Sequence, residues 1–75
     1  MTQEVPHRPP VRKVVRETLA DAGSVTDDLL VATVHDKSDA APWMIRATLD
    51  RMERAGTIYN ASGDKMSPRW KLTRP

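Results

Sequence analysis

Residues 45–58 read IRATLDRMERAGTI, and this stretch decides the fold. Its apolar residues recur at every third or fourth position from Ile45 to Met52, which is the spacing of one buried helix face. Gly56 then supplies a C-terminal stop for the helix. Further on, residues 69–73 read RWKLT and alternate apolar with polar side chains, as a strand does. The last third of the chain therefore predicts a helix, a strand, a loop and a second strand.

Length, composition and charge limit what this chain can be. With 75 residues it forms one domain at most, and with no cysteine it has no disulfide, no thiolate zinc site and no thiol catalysis. The net charge of +2 is uneven, because residues 1–37 carry five basic and six acidic side chains whereas residues 38–75 carry seven and four. No apolar run approaches the roughly 20 residues that span a bilayer, so we expect a soluble cytoplasmic protein.

The N-terminal part predicts an arm followed by a helix. Residues 1–9 contain two prolines and little to bury, so we interpret them as a flexible arm, either an inert tail or one that reaches a DNA backbone through Arg8. Residues 10–75 form the domain. Its first helix is predicted from Pro10 to Ala22, with a buried stripe of Val11, Val14, Val15, Thr18, Leu19 and Ala22.

The next segment predicts a short strand and a second helix. Residues 24–26 could pair with the later hairpin, and Thr26 is placed to cap a helix that runs to about His35. Leu30 and Val34 would be buried. An apolar run leaves the phase open, so Leu29, Val31 and Ala32 remain further candidates for the buried side.

A third helix is predicted from Ala40 to Ala55, with Ser38 or Asp39 as its N-cap. Burying Ile45, Leu49 and Met52 also turns Ala41 and Thr48 inward. The outward face would then carry Trp43, Arg46, Ala47, Asp50 and Arg54, with Arg51 at its shoulder.

The hairpin is predicted from Ile58 onward, with residues 61–65 supplying its loop. Pro68 restricts the return strand to its exposed start or to an edge of the sheet. Trp70 is predicted to be buried, because it alternates with Arg69 and Lys71 on the opposite strand face.

These motifs together resemble the recognition helix and wing of winged helix-turn-helix DNA-binding domains, especially small prokaryotic and phage repressor-like regulators. The resemblance implies an α+β fold: a three-helix bundle with a small antiparallel β-hairpin wing and a short strand between the first two helices. Residues 67–70 also look like the Pro-x-Trp wing of domains that bind Z-form nucleic acid. Those domains carry an Asn and a Tyr where this chain has Arg46 and Asp50, which argues against that activity.

The resemblance implies sequence-specific binding of duplex DNA as a transcriptional regulator, with the third helix in the major groove and the wing on the backbone or minor groove. Arg46 is our candidate for a base contact, while Arg51 and Arg54 suit phosphates. The alternatives to DNA contact are that the helix face and the hairpin tip are ordinary solvent-exposed surface. The candidate DNA-binding residues are Trp43, Arg46, Ala47, Asp50, Arg51, Arg54, Lys65, Arg69 and Lys71.

Trp43 has three interpretations. It covers the second helix if the predicted phase is off by one residue, it touches a thymine methyl or sugar, or it packs on a partner. We rank the first slightly ahead, because an exposed tryptophan is unusual in so small a protein.

Other function classes are less well supported by the residues. The positions of His7 and His35 suggest no metal pair, and no spacing orders a nucleophile and base, so we expect no enzyme, metal, cofactor or small-molecule substrate. Partners would be double-stranded DNA and a second copy in a homodimer. The rival interpretations are a protein-interaction adaptor, which the small net charge allows, and a non-specific architectural DNA binder.

Overall fold

The computed structural model describes residues 9–74 as a small α+β fold with three helices and a three-stranded antiparallel sheet. The elements are α1 (Val11–Ala22), β1 (Ser24–Thr26), α2 (Asp27–Ser38), α3 (Pro42–Arg54), β2 (Ile58–Asn60) and β3 (Arg69–Leu72). This succession is compatible with the predicted layout. Of the predicted arm, residues 1–8 lie outside the described residues. No helix within 9–74 is both long and apolar enough to cross a bilayer.

A single apolar core joins the helices to the inner face of the sheet. Its members are Val14, Val15, Leu19, Val25, Leu30, Val31, Val34, Ile45, Leu49, Met52, Ile58 and Trp70. The predicted stripes of α1 and α3 are confirmed, except that Ala22 is exposed at the end of its helix. On α2, Val31 is buried and Leu29 is 59% exposed, which settles the phase that the apolar run left open.

The sheet places β3 between its two partners, in the order β1-β3-β2. Val25 and Asn60 both stand opposite Trp70, so β1 pairs with the hairpin as predicted. Pro68 immediately precedes β3, which confirms the prediction that it permits only the start of a strand. The alternative of an edge strand is wrong, because β3 is central. Pro68 lacks an N–H, but its carbonyl accepts a hydrogen bond of 2.9 Å from the Asp27 N–H.

The connection between α2 and α3 differs from the prediction. Ser38 is the last residue of α2 rather than a cap of α3. Its hydroxyl donates back to the Val34 carbonyl at 2.6 Å and accepts from the Ala40 N–H at 3.2 Å, which lies before the first residue of α3. Asp39 adopts a left-handed conformation (φ 63°) and ends α2. The predicted end of α2 near His35 is therefore three residues short, and α3 begins at Pro42 rather than Ala40.

Both ends of α3 follow from their residue types. Pro42 occupies the first turn, where its missing N–H costs nothing, and Ala41 is an N-cap with no side-chain hydrogen bond. At the other end Gly56 has φ +81°, and the Thr57 N–H donates to the Met52 carbonyl at 2.9 Å. This is the Schellman arrangement, in which glycine tolerates the left-handed position. The predicted stop at Gly56 is confirmed, and α3 itself ends at Arg54.

Candidate nucleic-acid interface

The outward face of α3 carries the side chains that the sequence assigned to it. Because Ile45, Leu49 and Met52 are buried, the predicted phase of this helix is confirmed. All six α3 candidates are exposed together: Trp43, Arg46, Ala47, Asp50, Arg51 and Arg54. Whether they touch DNA stays a prediction.

Arg46 is bound to the acidic start of α2. Its Nη1 donates to Oδ2 of Asp27 in an ion pair, and its Nη2 lies 3.7 Å from Oδ1 of Asp28. The hydrogen bond to Asp27, followed by the attraction of the same carboxylate, raises the pKa of Arg46 above its ordinary value. The guanidinium stays charged, but its single positive charge is more than offset by the two carboxylates beside it.

Asp27 joins three elements through one side chain and one backbone group. Its Oδ1 accepts a hydrogen bond of 2.9 Å from Nε1 of Trp70, its Oδ2 accepts from Arg46, and its N–H donates to Pro68. The side chain is only 15% exposed. The sequence analysis did not single out Asp27. Its partners lie 19 and 43 residues away, so no local pattern could reveal them.

The other two arginines of α3 differ in their charge environment. Nε of Arg54 lies 3.2 Å from Oδ2 of Asp50, one helical turn earlier, in an exposed ion pair. Arg51 has no ion pair among the described residues. Arg51 is therefore the α3 arginine whose charge is most available to an anionic ligand.

Trp43 is 70% exposed at the start of α3, next to Met44, which is 44% exposed. The interpretation ranked first for Trp43, that it covers α2, is wrong. The helix has the predicted phase, and that phase turns the indole to solvent. An apolar ring in this position remains open to either a DNA or a protein contact.

The loop of the hairpin, residues 61–68, is organised by side-chain hydrogen bonds. Oδ1 of Asn60 accepts from the backbone N–H groups of Ser62 at 3.0 Å and Arg69 at 3.1 Å. Nδ2 of Asn60 donates to the Asp64 carbonyl at 3.0 Å. These contacts hold both ends of the segment that carries Lys65, although the loop extends three residues beyond its predicted end.

Arg69 and Lys71 lie on the outer face of the sheet rather than on the face of α3. They alternate with the inward Trp70 and Leu72, and Lys71 stands directly opposite Tyr59 of β2. Tyr59 is 43% exposed, a feature that the sequence analysis did not single out. No acidic residue occurs in the three strands, so this sheet face has an uncompensated positive charge.

Metal-ligand groupings are missing from the part of the chain that the structure describes. No three His, Cys, Asp or Glu side chains between residues 9 and 74 come close enough to hold an ion. His35 instead donates from Nδ1 to the Ala40 carbonyl at 2.7 Å, within the turn that leads to α3.

Comparison with protein-family models, with curated proteins and with solved structures finds no match to this chain. A function must therefore be inferred from the charges and contacts of the exposed side chains.

The cations without a carboxylate partner among the described residues of α3 and the hairpin are Arg51, Lys65, Arg69 and Lys71. The guanidinium of Arg69 also donates to the Ser24 hydroxyl at 3.3 Å, which orients it without neutralising it. Unpaired cations on a rigid framework attract phosphates strongly, because each contact releases counterions from a polyanion. The arrangement suits binding to a nucleic-acid backbone.

Proposed function

We propose that this protein is a small winged-helix regulator that binds duplex DNA through α3 and the β2–β3 hairpin. The observation that carries the proposal is that α3 and the hairpin hold four cations with no carboxylate partner among the described residues: Arg51, Lys65, Arg69 and Lys71. Their charges are spread over a helix and a hairpin rather than gathered in one pocket. Such a distribution matches an extended anionic ligand better than a small molecule.

The layout of the elements supports the winged-helix part of the proposal. A helix–strand–helix–helix order followed by a hairpin, with the short first strand paired to the return strand of that hairpin, is what the sequence resemblance implies. The third helix has 13 residues, and a helix of this length extends about 20 Å. An α-helix fits the DNA major groove, which is about 12 Å wide.

Different side chains would perform different tasks at the DNA. Arg51, Arg69 and Lys71 have unpaired charge and suit phosphates, which position a protein without reading sequence. Arg46 has its charge largely offset by acidic neighbours, so its value lies in directed N–H groups that can reach a base edge. Affinity and sequence preference would thus come from different residues.

In this proposal the protein acts as a transcriptional regulator. It would work in the cytoplasm or nucleoid of a prokaryote, or in the cytosol of the host cell if it belongs to a phage. A single module of this size buries little protein surface on DNA, and regulators of this type gain affinity as dimers on paired half-sites. We therefore propose a homodimer on a palindromic site.

The experiment that tests the proposal is selection of bound duplexes from a random pool, followed by a salt titration on the enriched sequence. About four phosphate contacts predict a slope of about −3 to −4 in a plot of log affinity against log salt. Retention without an enriched motif would indicate an architectural DNA binder. No retention by the folded protein would refute DNA binding.

The exposure of Trp43 favours a second candidate, a protein-interaction adaptor. A tryptophan that is 70% exposed beside a partly exposed Met44 is the kind of anchor that dominates protein interfaces. Under this alternative, Trp43→Ala abolishes partner binding and the chain shows no salt-dependent affinity for DNA. Under the DNA proposal, replacement of Arg51 and Lys71 weakens binding to every duplex.

A further inference from the structure

Arg46 is held by contacts that reach beyond its own helix. Its guanidinium donates a hydrogen bond to Asp27. The Asp27 carboxylate in turn accepts from the indole N–H of Trp70, and the Asp27 N–H donates to the Pro68 carbonyl. The chain therefore contains a continuous connection from the outward face of α3, through the start of α2, to the central strand of the sheet. Each link is a hydrogen bond with a named donor and acceptor.

Because Asp27 is largely buried, its carboxylate requires hydrogen-bond donors from the protein. A carboxylate that is only 15% exposed has little access to water, so its two oxygens depend on the protein for donors. Trp70 supplies one donor and Arg46 supplies the other. Trp70 is itself buried in the core, which fixes the position of the carboxylate and therefore the direction of its second oxygen.

Arg46 keeps unused donors on its solvent side. The side chain is 52% exposed, and of the five N–H groups of the guanidinium one on Nη1 donates to Asp27 while Nη2 lies 3.7 Å from Asp28, which leaves the other N–H groups for a ligand. A free arginine samples many rotamers and must be ordered when it binds, which weakens affinity. The anchored Arg46 is already restricted before any ligand arrives.

Resting on the proposed function, we propose that Asp27 is a positioning residue, which orients Arg46 so that its free N–H groups contact a base edge in the major groove. Asp27 touches no DNA in this arrangement. Because Asp27 is also bound to Trp70, it sets the orientation of Arg46 relative to the hairpin, so that α3 and the wing are aligned to the same duplex.

The chain offers a matched control at the next residue. Asp28 is 96% exposed and lies 3.7 Å from Arg46, so Asp28→Asn removes the same charge from the same region without breaking the buried contact. Asp27→Asn keeps an oxygen that can accept from Trp70 but replaces the carboxylate that holds Arg46. Each change removes one negative charge, so a general change in the attraction of the protein for the DNA polyanion would appear in both variants, whereas only Asp27→Asn removes the direct contact with Arg46.

The experiment measures relative affinities for the selected DNA site and for its single-base variants, using the full chain and the variants Asp27→Asn, Asp28→Asn and Arg46→Ala. We expect Asp27→Asn and Arg46→Ala to lose at least about fivefold discrimination at the same single base pair. Asp28→Asn should keep that discrimination. The double variant Asp27→Asn with Arg46→Ala should lose no more than Arg46→Ala alone, because both changes remove one interaction.

The outcomes separate this inference from the proposed function. If the wild-type protein binds no DNA, both fail; if it binds selectively and Asp27→Asn discriminates as well as wild type, only the positioning role is overturned. Should Asp27→Asn fail to fold, Asp27→Ser replaces it, since its small polar side chain fits the same partly exposed position but lacks the carboxylate that holds Arg46. Undiminished discrimination by folded Asp27→Ser would also overturn the inference, whereas a loss confined to the base pair that Arg46→Ala affects supports it.

Discussion

Replacement of Trp70 by phenylalanine tests whether the indole N–H secures the fold. The ring stays apolar but is smaller than the indole, and the 2.9 Å hydrogen bond to Oδ1 of Asp27 is lost. A hydrogen bond to a charged acceptor contributes about 1.5–3 kcal/mol, and the smaller ring adds a partial loss of buried area. We therefore expect Trp70→Phe to lower the free energy of unfolding by about 2–4 kcal/mol.

The assay is urea and thermal unfolding followed by circular dichroism, with Trp43→Phe as the matched control. Trp43 is 70% exposed, and its indole has no hydrogen bond to lose among residues 9–74, so its replacement should change stability by less than about 0.5 kcal/mol. For a domain of this size, a change of 1 kcal/mol moves the Tm by about 4–8 °C, so the two variants are easily resolved.

A double-mutant cycle with Asp27→Ala assigns the loss to the hydrogen bond. If Trp70 and Asp27 interact as described, the losses in free energy of unfolding of the two single variants will add up to more than the loss in the double variant, by more than about 1 kcal/mol. Equal stability of Trp70→Phe and Trp43→Phe, or strict additivity in the cycle, would refute the argument that this contact fastens the sheet to α2.

Four further variants test separate features of the chain. Arg51→Ala should reduce the salt slope of DNA binding by about 1, while Lys37→Ala, an exposed cation at the end of α2, should leave it unchanged in the same titration. Ala41→Ser should raise stability by about 1 kcal/mol in thermal unfolding, because the N-cap of α3 has no side-chain hydrogen bond. Gly56→Ala should cost about 1 kcal/mol at φ +81° although no atom lies within 4 Å of the new methyl, and an equal or higher Tm would contradict this. Thr18→Val should stabilise by about 1 kcal/mol in urea unfolding, since the hydroxyl of Thr18 is buried without a partner among the described residues.

Periodicity and special residues were enough to predict most of the elements. The burial of Ile45, Leu49 and Met52 follows from helical spacing, and Gly56 ends α3 for a local steric reason. The errors occurred where a side chain could satisfy two local patterns. Ser38 was expected to cap the following helix, but its hydroxyl donates back into the preceding one and accepts from the N–H of Ala40, which lies in the turn before α3.

The candidate site was predicted less completely than the fold. The sequence correctly turned Arg46, Arg51 and Arg54 to solvent, since exposure depends on the phase of a single helix. The sequence could not show that Arg46 is paired with Asp27 or that Lys71 of β3 stands opposite Tyr59 of the neighbouring strand β2. Those relations depend on the register of the sheet and on how α2 packs against α3.

The sequence by itself therefore determined which residues lie on which face of each element, because helix and strand geometry are repeated every few residues. Only the tertiary structure decided which charges remain available to a ligand. Asp27 meets Arg46 and Trp70 across separations of 19 and 43 residues, and such contacts exist only after the core has brought three elements together. Charge pairing is a property of distances in space, and distances in space are set by packing.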